Sequence, residues 1–180
     1  MPPGERRPAA GLAVTEQISA VINGKPFEGR VAANELLLDF LREELGLTGV
    51  KQSCEVEVCG TCTVLVDGAP VSSCCFLTCD IDGRRVETIE GLAGTAFHRS
   101  AVEAFMRHAA VQCGFCSAGM ILTAKALADR GIDPSPDQIS RAMSGNLCRC
   151  TGYRSILDAI TAVLRESREG AGESRGGASA

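Results

Sequence analysis

Eight of the ten cysteines in this 180-residue chain fall into two groups of four, and four thiolates are what a small iron–sulfur cluster needs. No apolar pattern constrains the fold as tightly, because sulfurs far apart in sequence must meet in space. One group is Cys113-Gly114-Phe115-Cys116 with Cys148-Arg149-Cys150, two thiolate pairs bridged by helix-like sequence. The other is Cys54, Cys59 and Cys62, spaced C-x4-C-x2-C, with Cys74 downstream. That is the spacing of plant-type [2Fe–2S] ferredoxins, with three ligands in one tight loop and a fourth on a neighbouring strand. Gly60, lacking a Cβ, would let a backbone amide approach a sulfur there.

Zinc also takes four cysteines, but usually in two separate C-x2–4-C knuckles, whereas Cys54, Cys59 and Cys62 share one loop. The C-terminal set, C-x2-C…C-x-C, leaves zinc open by spacing alone. Beside a ferredoxin-like set, iron–sulfur is the better reading. His98 and His108 lie in or near helix-like sequence without cysteine neighbours, so they are read as ordinary helix residues and not as ligands of a Rieske centre.

Hydrophobic residues make up 45 % of the chain, enough for a packed core, but aromatics are only 4 % and Trp is absent. Thin cores in small domains often lean on metals or disulfides. A disulfide framework needs an oxidising compartment. Arg6-Arg7 and the apolar stretch after it faintly resemble a twin-arginine signal, but that stretch stops at Thr15-Glu16, short for a signal core. Residues 1–15 are therefore expected to be a disordered leader and the cytoplasm is the expected compartment, with periplasmic export through a degenerate twin-arginine leader as the weaker alternative. No apolar run is long enough for a membrane span. A net charge of −4 and a pI near 5.3 argue against nucleic acid as the main partner.

Gln17–Ile22 and Phe27–Val31 read as a hairpin turning at Asn23-Gly24, followed by a helix capped by Asn34, carrying Leu36, Leu37, Phe40, Leu41 and Leu45, and stopped by Gly46. Leu47–Cys62 has little periodicity and suits a loop wrapped around a cluster. Thr63–Val66, Asp67-Gly68 and Pro70–Phe76 read as a second hairpin with Cys74 on its returning strand, and Val86–Ile89 as a last strand. From Ser100 the period becomes helical. Helices are expected over Ala101–Ala110 (stripe Val102, Phe105, Met106), Phe115–Arg130, Pro136–Met143 behind a Ser135/Gln138 capping box, and Tyr153–Glu166 with Ile156, Leu157, Ile160, Val163 and Leu164 inward. The fold class is thus α+β: a β-grasp plant-type ferredoxin domain over 16–93, a four-helix bundle over 94–167, and a disordered tail over 168–180.

Gln112–Met120 (QCGFCSAGM) and Gly145–Tyr153 (GNLCRCTGY) closely resemble signatures of the molybdenum hydroxylase (xanthine oxidase) family. Asp39-Phe40-Leu41-Arg42, Cys62-Thr63-Val64 and Asp67-Gly68 resemble the same family, and the likeness runs from about Glu16 to Arg165. The resemblance implies a separate electron-transfer subunit of an oxidoreductase, ending before any flavin or molybdopterin domain. It implies that Cys54, Cys59, Cys62 and Cys74 ligate a [2Fe–2S] cluster on the flavin side, and Cys113, Cys116, Cys148 and Cys150 one beside the molybdopterin. Gln112 and Cys150 match positions that contact the pterin. The implied partners are a large molybdopterin-binding subunit, which would carry the substrate chemistry, and a medium FAD-binding subunit, in a dimer of heterotrimers. Electrons would run from molybdenum through both clusters to FAD, one at a time. The alternatives are a freestanding two-cluster ferredoxin-type carrier and a zinc-stabilised interaction module.

Ser53 and Glu57 stand where the family often has Gly, and Ala118 where Pro is usual. Glu57 would lower the potential of the first cluster if it pointed inward, and Arg149 would act in the opposite sense. Cys75 and Cys79 are left over and are expected to be buried, unreactive thiols. Tyr153 and Phe115 are expected to pack.

Overall fold

The computed structural model describes residues 14–131 and 133–176 of the chain. Its first half rests on two tight hairpins. In β1 (Thr15–Ile22), Ile18, Ala20 and Ile22 are buried at every second position, and the chain returns through Asn23-Gly24 as β2 (Lys25–Ala32). Both turn residues have positive φ, which gives a two-residue turn the twist of its flanking strands. Asp67-Gly68 turns the same way between β3 (Thr63–Val66) and β4 (Ala69–Ser72). β5 (Arg85–Glu87) enters between the hairpins, parallel to β1 and antiparallel to β3, so the order is β2-β1-β5-β3-β4. The expected strand over Val86–Ile89 is shifted, because Ile89 already opens a short helix, Ile89–Leu92.

Between the hairpins lies α1 (Leu37–Asp39), which widens into a π-helical turn over Phe40–Glu44. Leu37, Leu38, Phe40 and Leu41 are buried against the sheet face that carries Ile18, Val64 and Val66. Asn34 does not cap this helix. The cap position is Leu36, which bridges to Leu77, while the Leu37 amide donates to the Phe76 carbonyl at 2.8 Å. Long-range backbone pairing thus satisfies the helix start that a local side chain was expected to satisfy.

The second half contains α2 (Ile89–Leu92), α3 (Ala96–Arg107), α4 (Ser117–Asp129), α5 (Pro136–Met143) and α6 (Arg154–Gly176). The capping box at Ser135 and Gln138 is present, with Pro136 in the first turn. α3 starts earlier than Ala101, because the Thr95 hydroxyl accepts from the His98 amide at 3.1 Å. Its inward residues are Ala101, Ala104 and Phe105, whereas Val102 and Met106 of the expected stripe are 42 % and 69 % exposed. Small residues on that face let α6 close onto α3, with Ile156, Ala159, Ile160, Val163 and Leu164 filling the shared core. α6 continues past Glu166 to Gly176, so a helix occupies 168–176 where an unstructured tail was expected; Arg168 pairs with Asp133 on the way. Residues 1–13 of the expected leader and 177–180 of the expected tail lie outside the described residues.

β3 joins the halves. All four of its residues are buried: Val64 and Val66 face the α1 side, while Leu65 belongs to the helical core, where α4 crosses the strand. The two-residue period of a strand makes one element a wall of two cores, and burying Leu65 there contributes roughly 1.5–3 kcal/mol. The architecture is α+β, a mixed sheet with helices. Among the described residues, no helix is long and apolar enough to cross a membrane.

Candidate metal centres

The loop before Cys62 curls tightly, with Glu55, Glu57 and Gly60 all at positive φ. That curl turns amides toward sulfur: Val58 and Cys59 N–H both donate to Cys54 Sγ at 3.4 Å. The amides of Val56, Cys59 and Val58 draw the Cys54 thiol down to about 6. Cys62, beside Cys74, goes the other way, pushed up to about 12 by burial. Cys74 does not continue β4 as expected but lies in a 3₁₀ turn, Ser73–Cys75, where the Ser73 hydroxyl donates to the Cys62 carbonyl at 2.7 Å. The turn brings Cys74 into the buried interior and leaves Cys75 exposed, its sulfur 3.8 Å from that of Cys74. Cys79 is half-buried and donates to the Ala33 carbonyl at 3.7 Å. The expectation that both leftover thiols are buried therefore fails at Cys75.

Cys113 and Cys116 lie in the turn that leads into α4, and Cys148 and Cys150 in the turn between α5 and α6. The Cys150 and Cys113 sulfurs are 3.6 Å apart. Cys116, next to Cys148, is pushed up to about 12 by burial. At Cys148 burial also pushes upward, but the Thr151 hydroxyl and the amides of Cys150 and Thr151 outweigh it and hold the thiol at about 7. The Tyr153 hydroxyl accepts from the Cys148 amide at 2.9 Å, a part for which its aromatic character gave no sign. Phe115, expected to pack, is 44 % exposed. Gln112 donates through Nε2 to the Cys150 carbonyl at 3.0 Å, and both residues are exposed. Ser53, Glu57 and Arg149 are exposed as well, while His98 and His108 stay with α3 and its end.

A cavity of about 430 Å³ opens against Cys113, Cys116, Cys148 and Cys150, and Cys59 and Leu147 share its wall. The thiols sit in couples: Cys54 with Cys59, Cys62 with Cys74, Cys113 with Cys150, and Cys116 with Cys148. A two-iron centre wants two thiolates at each iron, and the couples meet that demand. A Cβ on Gly60 would lie 2.2 Å from the Gly145 carbonyl, where the two cysteine loops touch, so close packing between the loops also calls for glycine there.

Residues 20–93 match the model of the 2Fe-2S iron-sulfur cluster binding domain, and residues 88–161 that of the [2Fe-2S] binding domain. The chain is 45 % identical to the nicotine 6-hydroxylase small subunit of Paenarthrobacter nicotinovorans, covering 80 % of this chain and 87 % of the relative. It is 46 % identical to the nicotinate dehydrogenase small FeS subunit of Eubacterium barkeri, covering 79 % and 91 %. A chain of quinoline 2-oxidoreductase from Pseudomonas putida 86 superposes with a TM-score of 0.79 at 49 % identity, covering 87 % of this chain and 98 % of that one. With two [2Fe–2S]-binding matches and relatives of its own length, the chain belongs to the small iron–sulfur subunits of the molybdenum hydroxylases, the xanthine dehydrogenase family, and serves as an electron-transfer subunit of an oxidoreductase.

Proposed function

We propose that Cys54, Cys59, Cys62 and Cys74 hold a [2Fe–2S] cluster facing a medium FAD-binding subunit, and that Cys113, Cys116, Cys148 and Cys150 hold one facing the molybdopterin of a large subunit. Gln112 and Cys150 meet the pterin at that second face, in a cytoplasmic dimer of heterotrimers. The sheet order supports reading 16–93 as a β-grasp ferredoxin unit, and α3 to α6 support reading 94–167 as a four-helix bundle. When bound, the clusters supply single-electron steps between a two-electron metal site and a flavin. The chain's own residues supply the sulfurs and the amides that favour thiolates.

One observation carries the reading of a subunit over that of a freestanding carrier. Both cysteine sets are rimmed by large apolar side chains left uncovered among polar ones: Val56 and Val58 are 64 % and 56 % exposed at the first, Phe115 and Leu147 44 % and 40 % at the second. A soluble shuttle would keep such rims polar, whereas exposed apolar rims mark surfaces meant to be covered. The names of the relatives speak of nicotine, nicotinate and quinoline, which supports a nitrogen heteroaromatic as the substrate, bound by the large subunit. Purification from the native host without air tests the reading. It predicts two clusters' worth of iron and inorganic sulfide per chain and two larger co-purifying chains. A colourless preparation rules out the clusters, and an iron-loaded chain that elutes alone favours the carrier.

A further inference from the structure

The two cysteine loops are fastened to each other by one buried amide. Asn146 is only 4 % exposed, and both polar atoms of its side chain are engaged. Its Nδ2 donates to the Gly60 carbonyl at 3.0 Å and approaches Thr63 Oγ1 at 3.4 Å, and its Oδ1 accepts from the Thr123 hydroxyl at 3.0 Å. Thr123 is itself buried on α4 and shares its single hydroxyl proton between Asn146 Oδ1 and the Gly119 carbonyl, the latter at 2.9 Å. Two glycines make room for this knot: a Cβ on Gly119 would fall 2.2 Å from the Gly60 carbonyl, and one on Gly60 would fall 2.6 Å from Asn146 Nδ2. At its edge, the Leu147 amide donates to the Cys59 carbonyl at 2.8 Å. That bond joins a cysteine of the first set to the residue before Cys148 of the second.

We propose that Asn146, held by Thr123, is a positioning residue for electron transfer between the two clusters. Its amide clamps the Cys59–Gly60 loop onto the Leu147–Cys148 loop, and the Leu147–Cys59 hydrogen bond is the contact across which the electron passes. This rests on the ligand sets proposed above. In the step one electron moves: an iron of the donor cluster goes from ferrous to ferric, an iron of the acceptor from ferric to ferrous, and no bond or proton changes. The chemistry of the clamp suits the task. A buried amide satisfied at both ends fixes a distance rigidly, whereas an apolar contact of the same size would let the loops slide.

Asn146→Asp keeps the shape but turns a donor into an acceptor facing the Gly60 carbonyl. Thr123→Val removes the hydroxyl that holds the amide, and Thr123→Ser restores it. In the holoenzyme, each variant is assayed for iron and sulfide, for the EPR signal of each cluster, and for the magnetic splitting between the two reduced clusters. The rate at which an electron introduced by pulse radiolysis equilibrates between them is also measured. Asn146→Asp and Thr123→Val are expected to retain both clusters and their individual signals, lose splitting, and slow equilibration by up to roughly 100-fold, which a misplacement of about 1 Å can cost a reacting pair. Thr123→Ser is expected to behave as the parent protein. Parent-like splitting and rate in a fully loaded Asn146→Asp protein overturn the proposal. Where Asn146→Asp does not assemble, the same result in Thr123→Val overturns it. Failure of the ligand assignment reads differently, as missing iron in the parent protein or as two intact signals after Cys150→Ser.

Discussion

At Cys148 burial and hydrogen bonding pull the thiol in opposite directions, and the bonds from Thr151 and two backbone amides win. Its own amide is spoken for by Tyr153 at 2.9 Å. Tyr153→Phe leaves that N–H in a partly buried site without its acceptor and is expected to destabilise the chain by about 1–3 kcal/mol, measured by denaturant unfolding of the loaded protein. Cys150→Ser touches the exposed sulfur 3.6 Å from Cys113 and is expected to abolish one cluster EPR signal while sparing the other. Simultaneous loss of both signals would contradict two separate centres. The two groups of cysteines were legible from spacing, because cluster chemistry requires thiolates in fixed number. The parts of Tyr153, Asn146 and Thr123 were not, since a hydrogen bond across the fold leaves no periodic mark in the sequence.

The helices show where local rules hold and where packing overrides them. The capping box of α5 and both two-residue turns are local devices, and they form where the residues announce them. The α3 stripe is different. Apolar character put Val102 and Met106 inward, but the seam with α6 is lined by Ala101, Ala104 and Phe105. Ala104→Leu is therefore expected to overpack that seam and cost about 1–3 kcal/mol, while Met106→Ala stays within about 0.5 kcal/mol, by thermal unfolding. Thr95→Ala is expected to remove about 1 kcal/mol with the cap of α3. Glu166 ties α6 to α3 through Ser100 and Arg107, and those bonds hold its carboxyl below its ordinary value. A depressed carboxyl contributes stability above the unfolded carboxylate range and loses it as pH falls through the folded value. Glu166→Gln should thus lower the unfolding midpoint near pH 7, by no more than about 1 kcal/mol for so exposed a pair, and the gap should close in acid.

For the molecule as a whole, β3 and the Asn146 knot weld the sheet and the helices into neighbours that share residues, so each cysteine loop leans on the other half. Gly119→Ala is expected to force those halves apart and lower the unfolding midpoint of the entire chain, with loss of hydrogen-exchange protection in both cysteine loops and not in α4 alone. By itself the sequence determined what was chemically or locally encoded: the number of sulfurs, the turn residues, the α5 cap, and the switch from a two-residue to a helical period. Tertiary structure decided which sulfurs form couples, which face of α3 points inward, why Gly60 has no side chain, and how close the two loops lie. Spacing and propensity act over a few residues, whereas these outcomes depend on excluded volume and buried hydrogen bonds between segments that the chain keeps far apart until it folds.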